Sequence, residues 1–149
     1  MPAFRLVLAL WMTLGTVVCT TARALAIDSS ASAVSARTAT TAGKHLRVRY
    51  EPRPDPIPLD EPFAIRVYVE PDASSSTRTA SPSGRRIEVR GWMPEHLHGM
   101  PLAPLVTPAG DGVWNVDGML LHMTGHWQLF IDVMDDDKRD RATFDVELR

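Results

Sequence analysis

From Lys44 onward the chain alternates apolar and polar residues with period two. Leu46, Val48 and Tyr50 fall on one face and Arg47 and Arg49 on the other. Phe63, Ile65, Val67 and Val69 alternate with Arg66, Tyr68 and Glu70, and Ile87 and Val89 with Arg86, Glu88 and Arg90. Near the C-terminus, Trp127, Leu129, Ile131 and Val133 alternate with Gln128 and Asp132, and Ala142, Phe144, Val146 and Leu148 with Thr143, Asp145 and Glu147. Side chains of a strand point to opposite faces in turn, so each pattern predicts a strand with one face on a core and one in water. Asp132 is thereby expected on a wetted face.

The breaks between these runs are turn-like. Glu51 to Pro58 holds four prolines, which lack the N–H that a central strand needs. A Ser/Thr-rich loop is expected from Asp72 to Gly84, and a hairpin turn from Asp135 to Asp140. The aspartates of that turn lack the ordered spacing of a calcium loop, so a solvated turn is the better reading. Between Met93 and Gly125 the alternation weakens, with short strands expected near Leu105–Thr107 and Val113–Asp117. The total predicts an all-β fold, an immunoglobulin-like antiparallel β-sandwich of about seven strands, over residues 45–149.

The N-terminus obeys a different logic. Leu6 to Val18 is apolar, follows Arg5, and precedes the small-x-small site Ala24-Leu25-Ala26. That order is the pattern of a secretory signal, and the run is shorter than the about 20 residues a spanning helix needs. Residues 1–26 are therefore expected to be a signal peptide, with an uncleaved anchor as the rival. Membrane contact follows only if the segment is retained. Residues 27–44, mostly Ala, Ser and Thr in their central stretch, are expected to be a disordered spacer that cannot bury enough apolar surface to order itself. The expected location is periplasmic or secreted.

Charge and cysteine content narrow the chemistry. The formal net charge is -2, without the basic excess that displaces phosphate counterions, so nucleic acid is not an expected partner. Loss of Arg5 and Arg23 with the signal lowers 16 basic residues to 14 against 18 acidic ones, a charge of about -4. The one cysteine, Cys19, lies inside the signal; the mature chain then has no disulfide, thiolate metal site or thiol nucleophile.

Donor atoms concentrate in Met93-Pro94-Glu95-His96-Leu97-His98-Gly99-Met100-Pro101. If this segment is extended, His96, His98 and Met100 point the same way. Imidazole with thioether and no thiolate favours copper over zinc. A second group, Met119, His122, Met123 and His126, precedes the strand at Trp127, and loops at one end of a sandwich converge. Set against this, methionine usually fills core gaps and loop histidines are usually solvated. Met93 and Met119 are expected in the core, His122 and His126 at the surface, and His96 and His98 stand evenly between ligand and plain surface residue. Trp92 is off-parity with Ile87 and Val89 and is expected to face outward as a partner-binding anchor; Trp114 is a second residue of that kind.

At these residues the chain resembles the YtkA-like domain family, which is related in layout to the FixH-like proteins. Met93-Pro94, His96, His98, Gly99 and Met100 carry the resemblance, with Pro104, Val106, Gly112, Gly118 and the run Met123-Thr124-Gly125-His126-Trp127. It covers roughly residues 45–149. The resemblance implies a small immunoglobulin-like sandwich outside the bacterial inner membrane, and a link to copper supply. It implies metal roles for His96, His98, Met100 and Met123; His122 and His126 inherit nothing from it. The short apolar start and long Ser/Thr-rich spacer depart from the FixH-like pattern.

Two functions follow as expectations. One is a copper-binding or copper-delivery module that uses His96, His98, Met100 and Met123. The other is a protein-interaction or structural module of the cell envelope, with Trp92 at its contact surface and no metal. No serine-nucleophile motif, phosphate loop or helical His-Glu-x-x-His spacing occurs, so no enzyme activity and no small-molecule substrate are expected.

Overall fold

A computed structural model describes residues 37–74 and 84–149. The expected signal peptide, the only cysteine and most of the expected spacer lie outside the described residues. Among the described residues nine strands follow in order: β1 (Thr38–Thr40), β2 (Leu46–Arg53), β3 (Phe63–Pro71), β4 (Arg86–Met93), β5 (His98–Gly99), β6 (Leu105–Gly110), β7 (Val113–Met119), β8 (Gly125–Asp135) and β9 (Lys138–Leu148). They form a five-stranded sheet, β1-β2-β3-β7-β6, and a four-stranded sheet, β5-β4-β8-β9. All pairings are antiparallel. Among the described residues no helix is long and apolar enough to cross a membrane.

The count is nine where about seven were expected. The two short additions, β1 and β5, hold three and two residues and leave no periodic trace in the sequence. β1 falls within the stretch read as spacer. It pairs Thr38–Thr40 with Arg47–Arg49. Thr41 then anchors the chain to the other sheet, where its hydroxyl donates to the Asp140 carboxylate at 2.6 Å. Burying Thr41 with that bond made costs little, because its polar atom has a partner.

The alternating apolar residues supply the core between the sheets. Val48, Val67, Val116, Trp127 and Ile131 are wholly buried, and Tyr50 of one sheet meets Phe144 of the other edge-on at 5.0 Å. Pro52 extends β2 further than proline was expected to allow. The Tyr50 N–H points toward β1 and donates to the Arg37 carbonyl, so the nitrogen two residues on points the same way. Among the described residues β1 pairs only with Arg47–Arg49, and Pro52 pairs with Ile65 on its other side, so no described ladder bond is missing at Pro52.

Two side chains depart from the expected exposure. Trp114 pairs with Val67 across the β3–β7 ladder, which turns it into the core at 3 % exposure. It cannot be a surface anchor. Asp132 sits on the outer face of β8 as its parity requires, but its exposure is 0 %. Arg90 of β4 and Arg141 of β9, on the flanking strands, close over it, donating at 2.8 Å and at 2.7 and 3.0 Å. Arg141 also lies over the Phe130 ring, 4.6 Å from its centroid.

Candidate functional site

The end of the sandwich near β5 gathers most of the singled-out residues. Met93 pairs with His98, so the two share the inner face of the four-stranded sheet, and Trp127 adjoins Met93 on that face. Met93, Met119 and Trp127 are fully buried, which places both methionines in the core as expected. Gly125 is fixed by this packing: its φ is +115°, and a Cβ there would come within 2.9 Å of the Met93 Cε.

His98 and His122 form a pair on this platform. Their ring centroids are 5.1 Å apart, and the two rings meet Trp127 edge-on at 5.8 and 5.6 Å. His122 was expected at the surface. It is half-buried instead, because the segment before β8 folds in beside β5, a tertiary contact that spacing along the chain does not encode. Its Nδ1 is buried and has no hydrogen-bond partner among the described residues. The His98 Nδ1 lies 3.2 Å from the Gly99 carbonyl. A carbonyl only accepts, so Nδ1 donates in this contact.

The other sequence candidates are placed differently. His96 is exposed in the turn before β5, its ring 5.9 Å from that of His98. Met100 is half-buried against the core, its Sδ beside Gly91, where a Cβ would lie 3.3 Å from the sulfur and 3.0 Å from Cγ. Met123 is half-buried against the same core, and its carbonyl accepts from the Trp127 indole N–H at 2.9 Å. His126 faces away and meets Asp145 at 2.8 Å. Among the described residues no group of three or more His, Cys, Asp or Glu side chains is placed to hold a metal ion. The structure therefore brings together His98 and His122, with His96 next to them.

A second feature lies on the outer side of the same end. After β5 the chain runs from Met100 to Pro104 before entering β6. This segment and the outer face of β4 enclose a cleft of about 320 Å³. Trp92 and Phe130 line it with Met100, Leu102, Arg90 and Arg141. Trp92 is half-buried there, on the outward face that its parity implied. Leu102 and Leu105, at the mouth and at the start of β6, are 71 % and 68 % exposed. Leu97, in the turn between the two features, is 77 % exposed and holds φ +57°. A left-handed backbone costs a non-glycine residue about 1–2 kcal/mol, and an exposed leucine regains little of it by burial.

Electrostatics tie the cleft to Asp132. Burial alone pushes that carboxyl up, but the hydrogen bonds from Arg141 and Arg90 outweigh it and hold it below the ordinary carboxylate value. The Asp132 hydrogen bond in turn raises Arg141 above the ordinary arginine value. The ion pairs fix two guanidinium groups at the cleft wall, their side chains 52 % and 37 % exposed. Comparison with protein-family models, with curated proteins and with solved structures finds no match to this chain.

Proposed function

We propose that this chain is an exported, immunoglobulin-like interaction module of the cell envelope, which docks a protein partner at the Trp92 cleft. The observation that carries the reading is the cleft itself. Two aromatic rings, a flexible methionine and an exposed leucine surround a concave site at the edge of a sandwich, and tryptophan and arginine are the side chains most often dominant at interfaces. A strained, exposed leucine beside it fits a surface kept for contact at some expense to stability. The test is a photoreactive amino acid at Leu102 in the native cells. A discrete crosslinked partner, lost when Trp92→Ala is added, is the expected result. An adduct pattern equal to that from an outward position on the other sheet, such as Asn115, contradicts it.

The histidine pair favours a second reading, copper binding. The buried His122 Nδ1, without a partner among the described residues, is a ligand atom in search of one, and the His98 ring lies 5.1 Å away. The resemblance to YtkA-like domains points the same way. His98 and His122 would hold the ion, with His96 adjoining and Met100 and Met123, in the segments just after them, as the candidate thioethers; bound copper would supply a one-electron couple or a transferable cargo ion. Titration with Cu(II), and with Cu(I) under reductant, is expected to load about one ion, with loss in the His96→Ala/His98→Ala variant. No uptake in either oxidation state contradicts this reading and leaves the docking role intact.

A further inference from the structure

Among the described residues the edge of β4 is open along most of its length. β5 covers only Trp92 and Met93. The Gly91 carbonyl points to that edge, where it accepts from the Met100 N–H at 3.2 Å. Backbone groups alternate sides along a strand, so the N–H and C=O of Val89 and Ile87 point to the same edge, beyond the reach of β5. An unpaired strand edge beside a side-chain cleft is the arrangement by which sheets accept an extended peptide: the edge supplies main-chain hydrogen bonds and the cleft reads a side chain.

The cleft also carries a charge sign. Its lining contains two arginines and no carboxylate. A guanidinium has five N–H donors. Asp132 takes one hydrogen bond from Arg90 and two from Arg141, so donors remain on both, and two positive charges face one negative one. Arg139, the next guanidinium, is engaged by Glu88 at 2.8 Å. The wall is therefore cationic, rigidly held, and adjacent to the apolar faces of Trp92 and Phe130.

We infer that the cleft takes an extended acidic segment of a partner protein, which lies along the β4 edge with an apolar residue against Trp92 and a carboxylate on Arg90 and Arg141. The inference rests on the docking role proposed above and names the chemistry of the partner. A basic segment is repelled by the same wall, and an uncharged one forgoes the charge-assisted hydrogen bonds.

The experiment is selection of a random-peptide phage library on the full chain, followed by binding of the selected peptides to the Arg90→Gln and Trp92→Ala variants. Arg90→Gln leaves both Arg141 bonds to Asp132 in place, so the fold and the buried carboxylate keep their main partner. The expected peptides carry Asp or Glu within two residues of an apolar side chain. They bind each variant about tenfold more weakly, and they weaken as NaCl rises from about 50 to about 300 mM. Enrichment of basic or uncharged sequences, no enrichment over the Trp92→Ala chain, or unchanged affinity for Arg90→Gln overturns the inference. A crosslinked partner at Leu102 that persists in Arg90→Gln would keep the docking role while removing its acidic character.

Discussion

Replacing Asp132 by asparagine tests how the cleft wall is held. The carboxylate is wholly buried and accepts three charge-assisted hydrogen bonds, one from Arg90 and two from Arg141. Such bonds contribute about 1.5–3 kcal/mol each, but a buried carboxylate carries a desolvation penalty of several kcal/mol. Asparagine removes both contributions. The arginines it strands are 52 % and 37 % exposed, so water takes over their donors. The net loss expected is about 2 kcal/mol, or about 8 °C in Tm for a domain of this size. Removing Arg141 is the harsher change, because it leaves a buried carboxylate with one close partner; about 3–5 kcal/mol is expected for Arg141→Met. The pH dependence separates the charge from the packing. Asp132 has a lowered carboxyl pKa when folded. Its stabilisation is therefore complete above the unfolded value of about 3.9 and is lost as pH falls through the lower folded value. Urea denaturation followed by tryptophan fluorescence at pH 7, and again well below pH 4, should show a wide gap between the parent and Asp132→Asn that narrows in acid. A gap that stays constant with pH, or an Arg141→Met chain more stable than Asp132→Asn, refutes the reasoning.

Three further outcomes follow from single positions. His122→Phe removes the buried Nδ1 that has no partner, and in chelator-treated protein it should raise stability by about 1 kcal/mol; a lower Tm would mean that the nitrogen is satisfied. Leu97→Gly relieves a left-handed backbone under a side chain that is 77 % exposed, so calorimetry should show a gain of about 0.5–1 kcal/mol. Gly91→Ala places a Cβ 3.0 Å from the Met100 Cγ and 3.1 Å from the Leu121 Cδ2. The clash should cost about 1–3 kcal/mol and push Met100 toward the cleft, seen as weaker crosslinking from Leu102.

Much of the fold was legible because burial on one face writes itself into period-two alternation. β3 could be read nearly residue by residue, the alternating runs from Trp127 and Ala142 marked β8 and β9, and the weaker runs at Leu105 and Val113 marked β6 and β7. The turn expected over Asp135–Asp140 is only Asp136 and Asp137: Asp135 pairs with Lys138 and Val133 with Asp140, so polar residues without an apolar period carry the ladder to its tip. The failures have physical causes. β1 and β5 are too short to show a period, and both are fixed by their neighbours rather than by their own composition. Pro52 looked like a breaker because a sequence does not tell to which side of the strand its nitrogen points. Trp114 was ambiguous until its register against Val67 set its face. Asp132 has the parity of a wetted residue; only the arginines on two other strands bury it. At the candidate site, the concentration of histidines was visible, and so was the outward parity of Trp92. The approach of His122 to His98, and the cleft between β4 and the Met100–Pro104 segment, depend on contacts between separate loops and left no local signature.

In the docking role proposed above, a partner occupies the edge of β4 beside Trp92. Amide hydrogen exchange of the full chain, with and without the partner captured through Leu102, addresses it most directly. A partner on that edge should slow exchange at Ile87, Val89 and the 99–104 segment, with little change on the outer face of β2 and β3. Protection confined to that opposite face, with the β4 edge exchanging as fast as before, would contradict it.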